Sequence, residues 1–158
     1  MREMLFPFFK WSEGSWLGVW ISSRTYPFAV IEVIHLFGLT LLLGGITFMS
    51  MRLFGLLLRD LPVPEVARSA RRWTFVGLAI STLTGVGLYT SEAMKLYNSP
   101  SFWWKMAFFF VGMLFHFTFF RKVTLSDRSG AASRAVAGTI SLALWFGVGV
   151  AGRAIGFL

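Results

Sequence analysis

The chain has no cysteine, which excludes disulfides, thiolate metal centres and cysteine nucleophiles at once. Charge is also scarce, at 14% of 158 residues, where a soluble domain spends about a quarter on covering its surface. Acid is the scarcer sign, with 7 Asp and Glu against 15 Lys and Arg, for a net charge of +8. In a soluble protein that excess would point to nucleic acid. No polar, basic face interleaved with aromatics is present to hold one, so nucleic acid is excluded as a partner. Period-two alternation is missing as well, and with it the case for membrane strands. What is abundant is apolar: 56% hydrophobic residues, 18% aromatic, and a mean hydropathy of +0.67. Lipid is the environment that such a composition fits, and the basic excess then reports orientation and anionic headgroups.

Four apolar stretches carry this bias. The first runs from about Pro27 to Leu58 and is uncharged between Val33 and Met51. The second is uncharged from Trp73 to Ser91, the third runs from Ser101 to Phe120 around Lys105, and the fourth is uncharged from Ala135 to Gly152. At 1.5 Å per residue, about 20 residues cross the hydrocarbon, and a lysine near a helix end can snorkel. The breaks have turn chemistry: Arg59-Asp60-Leu61-Pro62-Val63-Pro64, Asn98-Ser99-Pro100-Ser101 and Ser126-Asp127-Arg128-Ser129-Gly130. Connections this short make each helix pack on its neighbour. The reading is an all-α integral membrane four-helix bundle with helices over about 27–58, 72–97, 101–122 and 134–157.

Residues 1–26 stand apart. The run Leu5-Phe6-Pro7-Phe8-Phe9 is too short for a signal peptide, and no small-residue cleavage site follows it. Trp11, Trp16 and Trp20 mixed with Lys10, Ser12 and Glu13 predict a short helix lying in the membrane interface. Charge then orients the bundle. One side carries nine basic residues (Arg52, Arg59, Arg68, Arg71, Arg72, Arg121, Lys122, Arg128, Arg134) and the other six (Arg2, Lys10, Arg24, Lys95, Lys105, Arg153). The positive-inside rule places the nine in the cytoplasm and both termini outside it.

Polar groups inside the spans are the functional candidates, because the bilayer penalises them. Both histidines, His35 and His116, fall in predicted helices. Each is open between a metal ligand and a hydrogen-bonded structural group; having both in spans and none elsewhere favours ligands. Gly38, Leu42, Gly45, Met49 and Arg52 follow His35 at steps of three or four, one stripe on which glycine admits either a helix or a flat cofactor. Lys105 and His116 are eleven residues apart, three turns, and share a face. Glu32, one turn before His35, is a candidate to orient its imidazole. Arg153, near the external end, is open between an anionic cofactor group such as a haem propionate and lipid phosphate.

These residues resemble a family. His35, Gly45 and Arg52-Leu53-Phe54 resemble the first helix of HemJ-type protoporphyrinogen oxidases and CopD-type membrane proteins. Arg71-Arg72 before Thr84-Gly85-Val86 looks like their second helix, and Trp103-Trp104-Lys105 with His116 like their third. The resemblance implies a haem b protein in which His35 binds iron and Lys105, Arg52 and Arg153 lie near the tetrapyrrole. Its extra residue before the Arg-Leu pair and its interfacial N-terminal segment separate the chain from the oxidases. Two histidines at different depths, without a Met-x-x-Met cluster, make a poor copper path.

The leading expectation is therefore a haem b electron-transfer protein of the bacterial inner membrane, with a quinone or a membrane redox protein as partner. A scaffolding subunit of a larger complex is the alternative. A transporter is a third, with only Ser81, Thr82, Thr84, Thr139 and Ser141 to line a path. One geometric expectation follows. His35 and His116 differ in depth by about eight residues, or roughly 12 Å, so the two should not share one iron.

Overall fold

The computed structural model describes residues 2–126 and 128–157; Met1 of the expected N-terminal segment, Asp127 of the expected turn before the fourth helix, and Leu158 lie outside them. The described chain is all helical. Four helices are long and apolar enough to span a membrane: Thr25–Leu53, Val63–Ser91, the run Pro100–Leu125, and Ala131–Ala154. In chain order the elements are α1 (Arg2–Glu13), α2 (Trp16–Ser22), α3 (Thr25–Leu53), α4 (Val63–Ser91), α5 (Ala93–Asn98), α6 (Pro100–Phe115), a π-helical turn (His116–Phe120), α7 (Arg121–Leu125) and α8 (Ala131–Ala154). Outward-facing leucine, phenylalanine and valine, such as Leu83 and Val150, coat the spans as lipid requires.

The first span ends at Leu53 rather than near Leu58, because Gly55 at φ +72° and Leu58 at φ 49° turn the chain left-handed. The second begins at Val63, nine residues before the expected start. Pro62 and Pro64 set its first turn, so Arg68 and Arg71 join Arg72 on its exposed surface instead of standing in a loop.

The seam between α3 and α4 is the tightest in the bundle. A Cβ on Gly38 would lie 2.8 Å from Ile80 Cγ2 and Ser81 Oγ, and one on Gly77 2.5 Å from the Leu42 backbone nitrogen. Gly45 faces the Thr74 side chain. The glycines of the stripe are thus occupied by helix packing, not by a flat cofactor. Three apolar clusters stack along the bundle. One, at the end bearing the termini, is built on Phe9, Ala93, Leu96 and Phe102. The middle one holds Leu42, Ile46, Leu78, Trp145 and Val148, and the far one Met49, Leu53, Val66, Phe120 and Val123.

The N-terminal segment forms two helices clamped over the terminal end of the bundle. Phe9 is buried, the Glu13 carboxylate accepts the Met94 backbone N–H at 2.7 Å, and the Tyr89 hydroxyl reaches Ser12 Oγ at 3.4 Å. Gly18 lets α2 meet the backbone of α4, since a Cβ there would stand 2.6 Å from the Thr90 carbonyl oxygen. Trp11 and Trp16 remain exposed, at 70% and 79%, on the face that an interface would cover.

The seam supplies a stability test. Gly77→Ala forces a methyl onto backbone and should destabilise the protein by about 1–3 kcal/mol, whereas Gly44→Ala, with nothing within 4 Å, should not destabilise it. Thermal unfolding of the two variants in detergent checks the contrast; equal stabilities would contradict the seam.

Candidate functional site

His35 lies a third of the way along α3, buried against α4. Its Nδ1 is 3.0 Å from Thr84 Oγ1. The Thr84 hydroxyl proton is already spent, donated to the Ile80 carbonyl at 2.6 Å as β-hydroxyl side chains in helices do. The oxygen can therefore only accept from the imidazole, so Nδ1 carries the ring proton. The Ser81 carbonyl, 3.4 Å from the same hydroxyl, is a second acceptor beside the ring. With the proton fixed on Nδ1, Nε2 keeps its lone pair, the form in which histidine ligates metals. Gly85 makes the space: a Cβ there would stand 3.3 Å from His35 Cε1. Thr84, not the expected Glu32, orients the ring; Glu32 is exposed.

Lys105 enters from α6, close enough for its ammonium to bear electrostatically on His35. Its chain lies along Gly152 of α8, where a Cβ would be 3.5 Å from Lys105 Cε. Arg153, the next residue, is exposed and stacks its guanidinium on Phe157 at 4.5 Å. Arg52 is not part of this group. It is buried at the opposite end of α3, where its guanidinium donates to the Leu61 carbonyl and holds the α3–α4 connection.

His116 is a separate site. Lys105 and His116 do share the face towards α8, one at Gly152 and the other with its ring centroid 6.2 Å from Trp145. The π-helical turn starts at His116 and sets its ring on Phe120, 5.0 Å centre to centre and 21° from parallel. Such turns insert an extra residue and recur at functional sites. His116 lines a cavity of about 160 Å³ backed by Leu42, Ile46 and Trp145, with Arg71 and Arg121 at its edge. Its Nδ1 and Trp145 Nε1 are buried without a hydrogen-bond partner, a cost of about 1–3 kcal/mol for each such group. The α3 residues beside this cavity start at Leu42, seven residues below His35 and extend to Met49, which spreads over about 10–21 Å of helix. The two imidazoles are thus held apart, and the cavity falls short of the roughly 300–1,000 Å³ of a cofactor pocket.

Residues 8–158 match the Family of unknown function (DUF6644). The chain belongs to this family. No curated protein and no solved structure matches it. What the family does is thus to be read from the two sites themselves. Among the described residues, no group of three or more His, Asp or Glu side chains could hold a metal ion. A bare ion asks for three or four protein ligands; a haem, which brings four nitrogens of its own, asks for one.

With two histidines in the chain, selective ¹⁵N-histidine labelling gives two rings to follow. The His35 ring should show the Nδ1-protonated form, and Thr84→Val should abolish that preference. An Nε2-protonated His35 in the unsubstituted protein would contradict the assignment.

Proposed function

We propose that this protein is a haem b-binding redox protein of the bacterial inner membrane, in which His35 would hold the haem iron. The observation that carries the reading is the Thr84 contact, which fixes the His35 proton on Nδ1 and leaves Nε2 free inside an apolar bundle. The donor set fits the group: one oriented imidazole, with the half-buried Lys105 beside it and an arginine at the same end. When bound, haem would supply a one-electron couple whose potential His35 and the surrounding apolar wall would tune. Thr84 holds the ring in register, and Gly85 leaves it room. Lys105 and Arg153 would offer positive charge to the propionates at the terminal end, where Met94 and Met106 also belong to the local cluster. Arg52 and His116 have no part in this site. A membrane-soluble or membrane-bound electron carrier, a quinone or a redox protein, is the partner that such a site would serve.

The orientation belongs to the same proposal. Nine basic residues gather at the end bearing the α3–α4 and α7–α8 connections, so that end faces the cytoplasm and both termini face away from it. A reporter fused to the C-terminus should be active only outside the cytoplasm, and a strong cytoplasmic signal would invert the arrangement.

The purified full chain should give a reduced-minus-oxidised absorbance spectrum with b-type bands, and a pyridine haemochrome of haem b. His35→Ala should lose the haem and keep its helical content. No haem band in the unsubstituted protein would sink the reading; unchanged haem content in the variant would remove His35 from it.

A further inference from the structure

We infer that the cavity at His116 is a second site, which takes the head of a lipid-soluble ligand: a single ring bearing hydrogen-bond-accepting carbonyls, as in a quinone. Four observations converge on that chemistry. The first is size. About 160 Å³ is comparable to an engineered apolar protein cavity of about 150 Å³ that binds benzene, so one six-membered ring fits and a macrocycle does not. The second is access. Phe75 on α4 and Phe117 on the π-helical turn line the cavity and are 60% and 44% exposed, so the opening faces lipid and a tail could leave through it.

The third is hydrogen-bonding capacity. The hydroxyls of Thr74 and Thr124, also in the lining, donate to the carbonyls of Ala70 and Phe120 and have no proton left to offer. Trp145 Nε1 can only donate, and it has no partner although the side chain is 1% exposed. His116 Nδ1, equally without a partner, can donate when the ring proton sits there. A ligand that satisfies Trp145 must therefore accept a hydrogen bond, and the Nδ1-protonated form of His116 can donate a second. The fourth is the distribution of charge. Arg71 and Arg121 are exposed at the rim, whereas the back wall is uncharged and aromatic. A phosphate would be held at the rim; a carbonyl-bearing ring would go to the back. The aromatic face of Phe120, already parallel to His116, supplies a stacking wall. This site is independent of haem at His35 and stands or falls without it.

The test uses the full chain in nanodiscs of zwitterionic lipid, titrated with a benzoquinone carrying a ten-carbon tail. The ¹⁵N-histidine resonance of His116 should shift saturably while that of His35 stays in place as an internal reference. Trp145→Phe keeps the ring and removes the donor, and should weaken binding at least tenfold. Ala70→Leu fills the cavity from α4, leaves His116 and Trp145 intact, and should abolish the shift without lowering the melting temperature. No saturable shift, equal shifts at both histidines, or unchanged affinity in both variants would overturn the proposal. Displacement by phosphatidylglycerol, with binding lost in an Arg71→Ala/Arg121→Ala variant and kept in Trp145→Phe, would assign the cavity to lipid phosphate and overturn it as well.

Discussion

The backbone contact between α3 and α4 governs the rest of this molecule. Helices in lipid gain no hydrophobic advantage from one another, so close van der Waals approach across small residues has to hold them. Gly38, Gly45 and Gly77 provide it, each facing the neighbouring helix at a distance no Cβ would tolerate. Because the seam fixes the antiparallel register, Gly38 opposite Ile80 and Ser81 places His35, one turn earlier, opposite Thr84 and Gly85. The orientation of one imidazole is thus set by glycines three to ten residues away along the helix.

From that seam the bundle divides into two levels. Near the termini, α1, α2 and α5 close over the helix ends, and Lys105 reaches in beside His35. Towards the other end, α6 gives way to a π-helical turn, His116 rotates onto Phe120, and a cavity opens between that turn and α4. The ion pair of Lys95 with Glu92 lies in the terminal cap. The two imidazoles are thus housed separately, one at each level.

Much of this was legible in the residues. The four apolar runs identified the spans, because the bilayer demands length and apolarity and little else. The steps from His35 through Gly38, Leu42 and Met49 gave the buried stripe of α3. The depth offset between the histidines followed from helical rise alone. Other features needed the third dimension. Arginines at 68 and 71 read as loop, yet a helix can project charge past the hydrocarbon without ending. Arg52 read as a cofactor contact, but its guanidinium donates to the Leu61 backbone carbonyl, beyond the turn at Gly55. Thr84-Gly85-Val86 stood out only as a short motif; its use, an acceptor for Nδ1 and a space for Cε1, depends on the neighbouring helix. Nothing in the string His116-Phe117-Thr118-Phe119-Phe120 announces a π-helical turn.

The central claim is that one imidazole, and only one, is offered to a haem iron by each chain. Pulsed electron paramagnetic resonance on the oxidised, ¹⁵N-histidine-labelled protein counts histidine nitrogens bonded to iron directly. The account predicts a single directly coordinated histidine nitrogen per iron, lost in His35→Ala and kept in His116→Leu. Two coordinated imidazoles on one iron, or a single one that disappears with His116 instead, would contradict it.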